Sequence, residues 1–201
     1  WAAKHGGLDV IRDLRAHGIQ PTTRGTTWAA GNGDVELIRE LRAHGVRCSP
    51  EGVQQAFERG HLDVVRDLLA HDVRCFTNAI ANRFVGFGDV HLVREMRAHG
   101  VECDLLGANM AAEHGHLDVV QDLRVHGMDC TSAGANAAAG NGHLEMIRDL
   151  RAHGIYVTEN GADMARENGH WDVVEDLRAQ GLYDDDGCRT TFTTDTKWVI
   201  H

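Results

Sequence analysis

Apolar residues recur along this chain in a fixed phrase. In GHLDVVQDLRVHG, residues 115–127, Leu117, Val119, Val120 and Leu123 stand at relative positions 0, 2, 3 and 6. At about 100° per residue these gather on one side of a helix, while Asp118, Gln121, Asp122 and Arg124 face away. The phrase returns from Leu8, Val35, Leu62, Val90, Leu117, Leu144 and Trp171, each 27 residues after the last except for a step of 28 between Leu62 and Val90. A constant period of this length predicts a repeat array.

Each phrase closes on glycine (Gly18, Gly45, Gly100, Gly127, Gly154, Gly181), the residue that enters the left-handed conformation at least cost. The third repeat has Asp72 there, a poorer stop. His17, His44, His71, His99, His126 and His153 precede the stop, where a partly charged imidazole suits the negative end of the helix dipole. Each also lies four residues after an acid, at pairing distance.

Ahead of each anchor helix the sequence predicts a second helix of smaller residues. Cys48-Ser49-Pro50-Glu51 reads as its start: an N-cap serine, proline at the first helical position, then an acid. Thr22, Asp104, Thr131 and Thr158 hold the same cap place. The interior is rich in small residues, such as Gly107, Ala108, Ala111 and Ala112, or Gly134, Ala135 and Ala137–Ala139. Such a helix is weak alone, yet lets neighbouring backbones approach closely.

One helix pair has a single apolar face to set against roughly 1–2 kcal/mol of backbone entropy per ordered residue, so pairs must stack. The predicted fold is all-α: an elongated α-solenoid of stacked helix-turn-helix repeats, with about thirteen or fourteen helices. Its units are 1–18 (partial), 19–45, 46–72, 73–100, 101–127, 128–154 and 155–181. Residues 182–201 read as a degenerate last repeat, a cap or a tail; Trp198 falls 27 residues after Trp171.

Charge narrows what such an array binds. A net charge of −10 argues against a nucleic-acid partner, which needs a basic stripe. The arginines recur at fixed anchor-helix positions (Arg39, Arg66, Arg94 and Arg148; Arg42, Arg97, Arg124 and Arg151) and read as a solvated face of acid–Arg pairs worth ~0.2–1 kcal/mol each. No run of 18 apolar residues predicts a membrane span. The chain opens at Trp1, inside a first helix and without a signal peptide, which reads as a piece of a longer array.

The run Ala111-Ala112-Glu113-His114-Gly115-His116-Leu117-Asp118-Val119-Val120, with Leu123 and Gly127, resembles the ankyrin repeat. So do Gly60-His61-Leu62-Asp63-Val64-Val65 and Gly142-His143-Leu144-Glu145-Met146-Ile147, and the likeness covers about 180 residues. The Thr-Pro-Leu-His opening is absent, Ser49-Pro50 being its nearest echo, and the unit is about six residues short of 33. The array is similar to the short, hairpin-poor ankyrin-type repeats abundant in large DNA viruses of amoebae. That resemblance implies binding through first helices and short loops, a structural hydrogen bond from the histidines after the inter-helix glycines, and a viral protein of the host cytoplasm or virion.

Fourteen His and five Cys invite a metal. Yet Cys48, Cys75, Cys103 and Cys130 share one repeat position, and stacked helices set equivalent positions about 8–10 Å apart. That is too far for a disulfide or one zinc ion. They read as packing residues in an intracellular, reducing compartment. No nucleophile elbow, phosphate loop, HExxH or paired-carboxylate motif appears, so neither enzyme activity nor a cofactor is expected.

Function in a repeat array is expected where repeats differ. The 28-residue unit gathers Phe76, Phe84 and Phe87, and the next opens on Leu105 and Leu106 where others have Thr23/Arg24, Pro50/Glu51 and Ser132/Ala133. Clustered exposed apolar side chains mark partner sites, and aromatics anchor them. The candidate protein-binding patch is therefore Phe84, Phe87, Leu105 and Leu106, with Arg83, Glu102 and Asn109 as a polar rim. The bland reading has the extra residue as a helix bulge and the phenylalanines filling the gap it leaves. The leading function is a non-catalytic protein–protein interaction scaffold. The alternative is a structural or assembly protein that self-associates through uncapped terminal repeats.

Overall fold

The computed structural model describes residues 20–181, with residues 9, 12, 13 and 16–18 ahead of them. The first anchor, Leu8, and the segment 182–201 with Trp198 lie outside the described residues. Among those described there is no strand, and the helices come in pairs. The first helices are α1 (Thr23–Gly31), α3 (Pro50–Glu58), α5 (Asn78–Gly86), α7 (Leu105–Glu113), α9 (Ser132–Gly140) and α11 (Glu159–Glu167). The anchor helices are α2 (Val35–Ala43), α4 (Leu62–His71), α6 (Val90–Ala98), α8 (Leu117–Val125), α10 (Leu144–Ala152) and α12 (Trp171–Ala179). None of them is long and apolar enough to cross a membrane.

Glycine sets the rhythm twice per repeat. Gly45, Gly100, Gly127 and Gly154 stop anchor helices with φ of +75° to +84°. Gly33, Gly88, Gly115 and Gly142 turn the chain between the helices of a pair, also at positive φ. A side chain at this second set would collide as well as strain: a Cβ on Gly115 would lie 2.7 Å from His143 Nδ1 in the next repeat. Asp72, at the third stop, does not enter the left-handed region (φ −144°). There α4 runs ten residues rather than nine and a 3-10 turn, Val73–Cys75, follows. The extra residue of the long repeat falls just after this turn, where Asn78 opens α5 three residues after Cys75 while Pro50 follows Cys48 by two, and not as a bulge within α5, which keeps nine residues.

The histidines before each stop act on backbone as well as on the acid expected to pair with them: His44 Nε2 lies 3.5 Å from the Glu40 carboxylate, and the rings of His71, His126 and His153 lie 3.8–4.0 Å from those of Asp67, Asp122 and Asp149. Nδ1 of His71, His126 and His153 lies 2.8–2.9 Å from the carbonyl oxygens of Asp67, Asp122 and Asp149. A carbonyl only accepts, so the ring donates, and at Asp122 and Asp149 it satisfies an acceptor that the last helical turn leaves open. The cap column departs from expectation too. Ser49 accepts from Gly52 N and Thr131 from Ala133 N, but the hydroxyls of Thr22 and Thr158 cap nothing.

Cα proximity separates the chain into two compact units. One extends to Phe84 and includes Asp89–Asp104; the other joins Val85–Gly88 to Leu105 and the residues after it. Within each, helix pairs stack side by side, the packing of an α-solenoid.

In the first unit Leu37, Ile38 and Leu41 of α2 and Val64, Val65, Leu68 and Leu69 of α4 form the anchor-side core. Its first helices pack unequally. A Cβ on Gly52 would lie 3.0 Å from Thr27 Cα, so α1 and α3 nearly touch. The same repeat column holds Gly25, Gly107, Gly134 and Gly161, but Ile80 in α5. Ile80 is buried and holds α5 off by a side chain. Phe84 lies in the space this makes, stacked on Phe57 at 3.9 Å between ring centroids and edge-on to Phe76 at 6.1 Å.

The second unit keeps the small-residue rule. Ala108, Ala111 and Ala112 of α7, Ala135, Ala138 and Ala139 of α9, and Ala162 and Ala165 of α11 are buried, as are Val119, Val120, Met146, Ile147, Leu150, Val173, Val174 and Leu177 of the anchor helices. A Cβ on Gly161 would sit 2.7 Å from Asn136 Cα, and one on Gly134 3.1 Å from Asn109 Cα.

The acid–arginine pairs are a solvated face only in part: Arg39–Glu36, Arg66–Glu95 and Arg148–Glu145 are exposed, but three aspartates are drawn in. Asp67 has a side chain 3% exposed and accepts from Arg39 Nε at 2.8 Å and Arg42 at 2.7 Å, both one repeat earlier. Asp176 receives Arg148 and Arg151 in the same way, and Asp149 receives Gln121 and Arg124. Burial pushes these three carboxyls up, but the donors around each outweigh it and hold them below the usual carboxylate range.

Candidate functional site

What a repeat can offer a partner is what its own packing leaves over, and bonds between repeats take up several polar side chains. Asn109 Oδ1 accepts from Thr131 N (2.9 Å) while its Nδ2 donates to Thr131 Oγ1 (3.0 Å). Asn136 and Thr158 repeat this two-bond rung one unit on, at 2.8 and 2.7 Å. In the first unit Asn82 makes it with Asp104. At the turns, Asn141 Nδ2 donates to Glu113 O and Asn168 Nδ2 to Gly140 O, each reaching back one repeat. Arg59 does so to Gly31 O at 2.6 Å in the first unit.

The imidazoles of His116, His143 and His170 lie against the turn glycines Gly88, Gly115 and Gly142 of the preceding repeat. Burial pushes the His143 ring below its ordinary value; a bond to the Glu113 carbonyl works the other way, and the neighbouring His116, His114 and His170 add to the lowering. Among the described residues no three His, Cys, Asp or Glu gather to hold a metal. Cys48, Cys75, Cys103 and Cys130 are free thiols. Burial pushes Cys48 and Cys130 up to about 12 and raises Cys75 and Cys103 too, which makes them inert packing groups.

The expected patch does not hold together. Phe84 is 1% exposed and belongs to the core, for the reason Ile80 supplies. Arg83 is exposed and paired with Glu58 at 2.8 Å. Asn109 is a rung, with both amide atoms engaged, and not a rim residue. Arg83, Phe84 and Glu102 fall in the first unit, and Phe87, Leu105, Leu106 and Asn109 in the second.

Within the second unit Phe87, Leu105 and Leu106 are exposed, at 58%, 55% and 59%. They stand at opposite ends of the first helices. Phe87 follows Gly86, which abuts Met110 near the end of α7, whereas Leu105 and Leu106 begin that helix. A nine-residue helix is about 13 Å long, so Leu105 and Leu106 are one feature and Phe87 another.

The open side of the first helices in this unit carries groups that reading along the chain passed over. Glu113 on α7 and Glu159 and Glu167 on α11 are exposed, as is Met164. Trp171 is 56% exposed at the start of α12. Aligning the repeats column by column reveals them: residues 106, 133 and 160 form one row, 110, 137 and 164 the next, and 113, 140 and 167 the last. The same alignment finds the rungs, since Asn82, Asn109 and Asn136 recur at the period.

No family model matches this chain, and no curated protein does. In three dimensions it matches the crystal structure of the pentatricopeptide repeat protein PPR10 in complex with an 18-nt psaJ RNA element. The identity is 14%, over 88% of this chain and 30% of that one, with a TM-score of 0.35. A form of that protein with three cysteine-to-serine substitutions, in the same complex, gives the same values. The chain thus spans 30% of the length of these matches, and a likeness so distant transfers no RNA to it. The ankyrin assignment, with its keywords and viral analogy, is corrected: no ankyrin family model recognises the chain, and the repeat proteins it matches are pentatricopeptide ones. The resemblance rested on a helix-turn-helix phrase that any stacked pair with a Gly-His turn and an apolar anchor stripe can produce.

Proposed function

We propose that this chain is a non-catalytic scaffold that binds a partner protein through the exposed side of its first helices and their short turns. The observation that carries this reading is the pair Leu105 and Leu106, both more than half exposed at the start of α7. Other first helices open on Thr23/Arg24, Pro50/Glu51, Ser132/Ala133 and Glu159/Asn160. Two adjacent exposed leucines stand where those helices carry polar or small residues, and exposed apolar groups mark interaction surfaces. The chain's acidity disfavours nucleic acid as the partner.

The test is affinity capture from cell lysate with the parent chain and with a Leu105→Asp, Leu106→Asp variant whose circular dichroism and melting match the parent. A defined protein captured by the parent and lost by the variant supports the reading. Capture unchanged by the variant moves the site elsewhere. Concentration-dependent self-association without any captured partner would favour an assembly role instead.

A further inference from the structure

We infer that the open first-helix face of the second unit receives a basic amphipathic helix of the partner protein. This rests on the protein-binding reading above and adds the partner's chemistry.

The two sides of the unit are both net acidic but match their acids differently: α8, α10 and α12 carry seven carboxylates beside four arginines. On the anchor side, Arg124, Arg148 and Arg151 are drawn onto carboxylates at 2.7–2.9 Å. The first helices hold Glu113 on α7, no charge at all on α9, and Glu159, Asp163 and Glu167 against Arg166 on α11. That is four carboxylates to one guanidinium, and Arg166 itself bridges Asp163 at 3.0 Å. The acids stand at the margins with an uncharged helix between them. Complementary potential across an interface selects partners of opposite sign, and this face selects cations.

The apolar groups follow the same outline. Leu105 and Leu106 rise at one margin and Met164 at the other, with Ala133 exposed and Ala137 half-buried on α9 between them. The α9 sequence, SAGANAAAG, presents no side chain larger than asparagine, so the middle of the face is low. First helices in contact lie about 8–10 Å apart, which makes α7 to α11 about 16–20 Å across. A partner helix of about twelve to fourteen residues covers that span at 1.5 Å per residue. Its apolar stripe would meet the leucines, alanines and methionine, and lysines or arginines on its flanks would meet Glu113, Glu159 and Glu167. An extended basic tail would meet the acids but has no stripe for the leucines.

The experiment is fluorescence anisotropy of labelled model peptides of about fourteen residues with the full chain, at about 150 mM salt, where charges beyond about 8 Å are screened. Three peptides are compared: an amphipathic Leu/Lys helix, the same pattern in Leu/Glu, and a Lys/Ser peptide of equal charge without the stripe. The Leu/Lys peptide is expected to bind and the other two at least about tenfold more weakly. Glu113→Lys with Glu167→Lys, and separately Leu105→Ser with Leu106→Ser, should each weaken it about tenfold or more. Asp118→Lys with Glu175→Lys, the same change of charge on exposed anchor-helix positions, should cost less than about threefold. Thermal melts check that each variant is folded.

Equal weakening by the anchor-helix variant, equal binding of the Lys/Ser peptide, or no binding by the Leu/Lys peptide would each overturn the inference. If the Leu/Lys peptide fails while lysate capture still depends on Leu105 and Leu106, the basic-helix chemistry falls and the protein-binding reading stands. If both fail, both fall.

Discussion

The two units meet one packing requirement with different residues. In the second, α9 and α11 each have glycine where they cross the preceding first helix, backbones close to van der Waals contact, and an Asn–Thr rung locks each step. In the first, that regularity breaks at one place. Ile80 replaces the glycine, and a stack of phenylalanines fills the separation. The residue that would make the rung there, Gln54, bonds Glu58 of its own helix instead. A repeat array thus tolerates an insertion when large apolar side chains substitute for backbone proximity. The aromatic cluster is the mark of that repair and not of a binding site.

The difference can be broken from either side. Phe84→Ala should have the largest effect, about 3–5 kcal/mol, because it empties the space Ile80 creates. Hydrogen exchange read by segment should show the loss in α3 to α5 and leave α9 to α12 protected; uniform loss would mean the units are not independent in this respect. Gly134→Val should cost about 1–3 kcal/mol in the second unit, since its Cβ would press on Asn109, with Cα 3.1 Å away. A denaturant midpoint equal to the parent's would show that α7 and α9 are not packed so closely.

Smaller effects test the polar rungs. Asn136→Ala removes two bonds to Thr158 and should cost about 1–2 kcal/mol, measurable by urea denaturation. Acid titration separates two groups. Asp67, Asp149 and Asp176 are held below the carboxylate range, so their stabilisation is complete above an unfolded value near 4 and disappears as pH falls through the lower folded values. His143, also lowered, favours the folded state above about pH 6.5, and that contribution declines as pH drops toward its folded value. The His143 effect is the smallest, and a His143→Gln chain should lose the shallow slope in melting temperature between about pH 7 and 5.5.

Much of this was legible in the residues. The apolar stripe from Leu117 to Leu123 and the glycine stops specify helices and their stacking, because both are local patterns repeated at a fixed period. Exposure was less legible. Phe84 and Phe87 are three residues apart with the same side chain, and only the substitution at Ile80, 28 residues after Gly52, explains why one is buried and the other is not. Asn109 read as surface because its partner, Thr131, lies in the following repeat. The ankyrin likeness failed for a related reason: Gly-His turns and apolar anchors serve stacking in general, and they do not single out one family.

The face that a partner covers decides between these readings. Hydrogen–deuterium exchange of the chain with and without a captured partner reads that directly. The account predicts slowed exchange on α7, α9 and α11 and at their turns, with the outer positions of α8, α10 and α12 unchanged. Slowing confined to the anchor helices, or to the first unit, would contradict it.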